Sequence, residues 1–173
     1  MGSLPDKSMT ILRIYKTAEL NIGETAWAKD KERQARRNPN VCFRKGEYKC
    51  NLFVYECILA AGFDIGCPNL LNPIKNFDYL LLHKFERPPT THDWYDKKVK
   101  HFKFIGEGEK GLRLLKNGDI LTDNVHMAIA FYDESKQEWT TIGAGEKTIN
   151  KTKWGIEDTS TGNVRIFRYS PEN

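Results

Sequence analysis

Lys49-Cys50-Asn51-Leu52-Phe53-Val54-Tyr55-Glu56-Cys57-Ile58 is the stretch on which the fold turns. Its apolar residues fall on nearly every side of a helix, the pattern of a helix enclosed within a domain. Gly62 supplies a stop, and the polar run Arg44-Lys45-Gly46-Glu47-Tyr48-Lys49 ahead of it reads as a loop. The spacing predicts a helix over 50–61 with Cys50 at its entrance. A helix start carries unpaired N–H groups and a partial positive charge, and both stabilise a thiolate. Cys50, Phe53, Val54, Cys57 and Ala61 share one face by 3–4 spacing.

Further along, Gly118-Asp119-Ile120-Leu121 leads into Val125-His126-Met127-Ala128-Ile129-Ala130, a histidine at the head of an apolar strand. A thiol on a helix and an imidazole on a sheet are what a cysteine–histidine hydrolase requires. From the residues alone each also has a plainer role: Cys50 as a buried structural thiol, His126 as a satisfied sheet histidine. The polar loop before Cys50 favours the nucleophile, whereas Cys57, two turns deeper, suits the structural role. Asp119 reads either as a neighbour of the catalytic strands or, more simply, as a turn acid after Asn117. Trp27 and Trp94 line a groove or fill the core, with the core the simpler assignment for Trp27.

The rest of the chain places these pieces in one domain. At 173 residues it divides into a tag or disordered start over 1–9, with Met1-Gly2-Ser3 read as an expression scar, and a single catalytic domain over 10–173. Residues 18–37, rich in Ala, Glu, Lys and Arg around Trp27, predict a first helix that Asn38-Pro39-Asn40 ends. Residues 62–100 hold four prolines, Pro68, Pro73, Pro88 and Pro89, and read as a long irregular excursion with one short helix around Trp94–Lys98, a candidate wall of the active site. Strands are expected at His101–Ile105, Asp119–Thr122, Val125–Tyr132, Glu138–Ala144 and Val164–Tyr169. Helices first and then an antiparallel meander make an α+β fold, with N-terminal helices packed on one sheet face.

Composition removes several function classes. The net charge is only +4, and acidic residues interrupt the basic clusters Lys29–Lys31 and Arg33–Arg37. With no accompanying motif, nucleic acid is not an expected partner. A mildly basic surface does suit an anionic polymer such as a bacterial cell wall. No apolar run approaches the roughly 18–20 residues of a membrane span, and no signal peptide is visible. The four cysteines, Cys42, Cys50, Cys57 and Cys67, are too few and too uneven for a disulfide scaffold. His83, His92 and His101 recur every nine residues, but no cysteine or paired carboxylate completes a zinc site, so neither metal nor cofactor is expected.

Taken together, Lys49-Cys50-Asn51-Leu52-Phe53-Val54 with Gly62, then Arg87-Pro88-Pro89-Thr90, Gly118-Asp119-Ile120 and His126-Met127-Ala128-Ile129 resemble the NlpC/p60 family, from about Trp27 to Arg168. The resemblance implies a compact papain-like fold and a cysteine peptidase that cuts peptide stems of bacterial peptidoglycan, typically after D-glutamate. It assigns Cys50 as nucleophile and His126 as general base. It implies a monomer, secreted or delivered to a bacterial wall. The oxyanion falls to the Cys50 N–H, with Tyr48 a second donor by position. A third polar residue should orient His126, yet its expected position falls near Gly143. Thr141, on the same strand face by period two, or Glu146 just past the strand are the substitutes; a dyad oriented by a backbone carbonyl is the alternative. Many members read Asp-Cys-Ser-Gly at the nucleophile, residues that help bind a free amino terminus. Here Lys49, Cys50, Asn51 and Leu52 stand instead, and the Lys49 ammonium is expected to disfavour a cationic amine. Two rival functions remain on the same fold: an N-acetylmuramoyl-L-alanine amidase, including antibacterial amidase toxins, and a non-catalytic wall-binding module. In lipid acyltransferases of this fold the histidine precedes the cysteine, the reverse of the order here.

Overall fold

The computed structural model describes residues 7–38, 41–65, 87–157 and 163–170. In chain order these form α1 (Lys7–Glu19), β1 (Arg33–Gln34), β2 (Cys42–Phe43), α2 (Cys50–Ala60), α3 (Thr91–Tyr95), β3 (Phe102–Glu107), α4 (Gly108–Leu112), β4 (Ile120–Thr122), β5 (Met127–Asp133), β6 (Glu138–Ala144), β7 (Ile149–Thr152) and β8 (Arg165–Tyr169). The last six strands make one sheet in the order β3-β8-β4-β5-β6-β7, with every neighbouring pair antiparallel. The architecture is α+β.

Helix α2 begins and ends where its residues dictate. Its last turn closes by Gly62 N–H donating to Leu59 O and Phe63 N–H to Ile58 O. Gly62 takes φ +88° there, a conformation open to glycine and costly for other residues. Cys50 and the run from Leu52 to Ile58 are all buried, because α2 lies between α1 and the sheet. Met127, Ile129 and Phe131 of β5 and Ile142 and Ala144 of β6 face it, with Ile14 and Ala18 of α1 on the same core. Tyr15 of α1 stacks on Phe131 at 5.2 Å. On the opposite sheet face Leu121, Ala130, Val164 and Ile166 form a second cluster, with Trp139, Trp154 and Ile156 against it.

The first helix is the main correction. Residues 18–37 do not form it: α1 spans Lys7–Glu19, partly inside the stretch expected to be a tag or disordered, and turns occupy most of the remainder. Tertiary bonds override the helical composition. Trp27 Nε1 and Arg33 Nη2 donate to the buried Glu56 Oε2 at 2.9 and 2.7 Å, and the Lys29 N–H donates to Glu146 O at 2.7 Å, pulling the chain across α2 toward the sheet. Trp27 and Trp94, 6% and 1% exposed, are both core residues.

The sheet is also more than a meander. β8 enters between β3 and β4, held by a paired bond from Arg168 Nε and Nη2 to Asp119 Oδ1 and Oδ2 at 2.8 and 2.7 Å. Asp119 additionally accepts the Lys116 N–H at 2.8 Å, so it is a turn acid and an ion-pair partner together. Burial pushes its carboxyl up despite the guanidinium. The β1–β2 ladder, β7 and α4 are additions to the expected elements; α4 turns so tightly off β3 that a Cβ at Gly106 would meet Gly111 Cα at 2.8 Å. The short helix of the 62–100 excursion is α3, three residues earlier than expected. Most of that excursion, with Cys67 and His83, lies outside the described residues.

Candidate active site

Cys50 is the first residue of α2, after Lys49 at φ −122° and ψ 22° with no side-chain cap bond. The Lys49 side chain therefore does not cap the first N–H groups of the helix. The backbone N–H groups of Met127, Asn51 and Cys50 itself favour the Cys50 thiolate. The Met127 nitrogen belongs to the peptide unit that joins it to His126. The start of β5 thus carries an amide that favours the thiolate, one residue after His126. The sulfur lies within the core cluster, 3% exposed, and that burial pushes the thiol above its ordinary range against the pull of the three donors. Cys57, deeper in α2, is also pushed up by burial, as befits a structural thiol.

His126 precedes the first paired residue of β5. Met127 and Ile129 face α2, while His126 lies with Ala128 on the other side, over Gly143: a Cβ built at Gly143 would sit 3.5 Å from His126 Nε2 and 3.3 Å from Ala128 Cβ. The edge of Trp154 stands against the imidazole, ring centroids 4.6 Å apart and planes at 86°. Its backbone is gripped by the turn before it, where Asp123 Oδ1 accepts the N–H of Val125 at 2.7 Å and of His126 at 2.6 Å.

The other expected site residues have definite partners. Lys49 is 2% exposed, and its Nζ donates to Ala28 O, Arg44 O and Glu47 O at 3.2, 3.2 and 2.9 Å. The ammonium faces inward and clips the loop before α2, where sequence alone set it toward a substrate; burial holds its pKa below the ordinary value. Asn51 Nδ2 donates to Pro89 O at 3.3 Å, tying the Arg87–Thr90 segment to the helix start. Tyr48 is exposed, but its hydroxyl donates to Glu146 Oε1 at 3.1 Å with the Lys29 ammonium 4.1 Å over its ring. Lys29 and Glu146 also line an open groove of ≈ 390 Å³ with Asp30, Lys45, Gly46 and Lys147. Thr141 Oγ1 lies 3.1 Å from both Thr152 Oγ1 and Trp154 O. Its bonds go to the segment that carries Trp154, and Glu146 is taken by Tyr48 and Lys29.

Asp123 and Trp154 were not anticipated. An aspartate two residues before an amide it can accept is a readable turn signal, and Asp123-Asn124-Val125-His126 carries it. Trp154 has no local signal, since the chain after β7 brings it to His126 through the sheet. His92 joins the same corner: its Nδ1 lies 2.9 Å from Asn124 Oδ1, and Thr91 Oγ1 donates to Asn124 O at 3.0 Å. Among the described residues no group of three or more His, Cys, Asp or Glu side chains gathers as a metal site, and no helix is long and apolar enough to cross a membrane. Comparison with known proteins returns no match, whether with family models, curated proteins or solved structures.

Proposed function

We propose that this chain is a cysteine peptidase of papain-like fold, akin to the NlpC/p60 family, that hydrolyses peptide stems of bacterial peptidoglycan between D-glutamate and the following diamino acid. The observation that supports this reading is that Cys50 heads α2 while His126 stands just before β5, the strand whose Met127 and Ile129 share the core with α2. A cysteine and a histidine, each at the head of an apolar element, are the two groups that thiol acyl transfer needs.

Burial favours the thiol form of Cys50. In the reaction the His126 ring turns from its place over Gly143 toward α2 and takes the S–H proton as the sulfur bonds to the amide carbonyl carbon, and the carbonyl π electrons move to oxygen. The N–H donors of the uncapped α2 start stabilise that oxyanion. The imidazolium then gives its proton to the departing nitrogen as the C–N bond breaks. Water attacks the thioester, His126 accepts its proton, and a carboxylate leaves as the thiol is restored.

Digestion of defined disaccharide-peptide muropeptides with the wild type and Cys50→Ala, followed by weighing of the products, tests this. The expected products are the D-glutamyl fragment and the diamino-acid fragment, present with the wild type alone. Release of the whole stem from the sugar would replace the endopeptidase with the amidase. No Cys50-dependent product from any stem would leave a non-catalytic binding module and end the peptidase reading.

A further inference from the structure

Outside the candidate active site, β3 opens the sheet order, with β8 on one side of it and no described strand on the other. An edge strand points the N–H and C=O of alternate residues away from its partner, where another chain can pair with them. An open groove of ≈ 580 Å³ lies against this strand, and its apolar lining includes Phe104, Ile105 and Leu114. Its charge comes from Lys103, Arg113, Lys116 and Arg168, and among the described residues no carboxylate lines it.

Local geometry gathers these cations. Lys103 stands opposite Arg168 in the β3–β8 register, so the two share one sheet face. Helix α4 then doubles back on the strand through two glycines: a Cβ at Gly111 would meet Gly106 C at 2.7 Å and Ile166 Cδ1 at 2.8 Å. Arg168 Nη2 fixes the turn after α4 by donating to Leu114 O at 2.6 Å. Its guanidinium is otherwise spent on Asp119, which is fully buried. Lys103, Arg113 and Lys116 are exposed, and among the described residues their side chains have neither an ion pair nor a hydrogen bond. Leu114, 54% exposed, lies between two of them in the chain. Like charges held beside an apolar floor raise the local potential and attract an anion. Phe104 is the one aromatic residue among the described lining, and the Lys97 ammonium already stands 4.0 Å over its ring, so the groove has no open platform for stacking a base.

We propose that this edge is a docking site for an extended acidic peptide, a segment of a partner protein that alternates carboxylate and apolar side chains and lies along β3. Its carboxylates meet Lys103, Arg113 and Lys116, and its apolar side chains cover Ile105 and Leu114. Its main chain supplies both the donors and the acceptors that an edge strand takes up. A polyphosphate chain matches the charge but brings no amide donors and no apolar groups, and a flat bilayer does not reach the floor of a groove. This surface is independent of the Cys50–His126 pair.

The test is fluorescence anisotropy of a short, capped, labelled peptide alternating glutamate and valine, titrated with the full-length protein at low ionic strength. Saturable binding with a Kd below about 1 mM is expected, weakened about tenfold when glutamine replaces glutamate. Lys103→Glu and Arg113→Glu should each weaken it about tenfold, because a like charge then faces the carboxylates. Lys136→Glu makes the same charge change on the exposed β5–β6 turn, outside the groove, and should leave affinity within about twofold. An unchanged urea midpoint checks that each variant is folded, and Lys116→Glu takes the place of either groove variant that is not. Methylating the amide nitrogens along one edge of the peptide should cost about tenfold and along the other edge little, since only one edge pairs with β3. No binding at about 1 mM protein, an equal loss with Lys136→Glu, or equal affinity for the two methylated peptides would overturn the proposal. So would capture of a polyphosphate chain or of phosphatidylglycerol vesicles through Lys103 and Arg113 while the peptide is ignored.

Discussion

Lys49 illustrates how much a single neighbour of the nucleophile can hide. An ammonium with three backbone carbonyls as partners is bound in place by charge-assisted hydrogen bonds. Lys49→Met strands those acceptors in a buried site and should cost about 2–3 kcal/mol, read as a lowered urea midpoint. It should leave the ratio of rates on stems with free and blocked amino ends unchanged, because the charge it removes faces the loop. A change in that ratio without a stability loss would return Lys49 to the cleft. Cys50 and His126 were legible as residues because each sits at the head of an apolar element. The direction of the Lys49 side chain was not, since it depends on carbonyls of Ala28, Arg44 and Glu47 that only the folded loop gathers.

At the scale of elements, α2 could be read from its apolar run and Gly62, whereas the stretch after α1 could not. Its composition favours a helix, but Glu56 in the core of α2 draws Trp27 and Arg33 onto one oxygen. Arg33→Ala leaves a carboxylate 4% exposed without its cation and should destabilise by about 3 kcal/mol. The loss should shrink in a Glu56→Gln background, and equal losses in both would place the effect elsewhere. Helix α3 carries a pH dependence. Asp93 receives the Thr90 N–H and hydroxyl at 2.8 Å each and Arg87 Nη1 at 2.7 Å, closing a capping box. Burial pushes its carboxyl up, but Arg87 and Thr90 together hold it below its ordinary 3.8. A depressed carboxylate stabilises the fold above its unfolded value and loses that contribution as pH falls through the folded value. Asp93→Asn should therefore cost about 1 kcal/mol at pH 7, and its gap from the wild type should narrow near pH 3. An undiminished gap at acid pH would contradict this.

Over the whole molecule, Cys50 heads α2 and His126 stands just before β5, the strand on which α2 packs. The sheet sets α2 against Met127 and Ile129 on one face and leaves the His126 ring to Gly143 and Trp154 on the other. Successive strands β4 to β6 follow the sequence pattern, but β8 pairs with β4, where Arg168 also reaches Asp119, a pairing between residues far apart in the chain. The fold class was thus open to a reader of the sequence, while the strand order and the grip on His126 were not. The most direct measurement is the initial rate of cleavage of a D-glutamyl–diamino acid stem by the wild type, Cys50→Ala and His126→Ala, all shown to be folded. Cleavage by the wild type, abolished in Cys50→Ala and lowered about 10³-fold in His126→Ala, is expected of a nucleophile and its general base. Equal rates in all three, or no cleavage by the wild type, would contradict it.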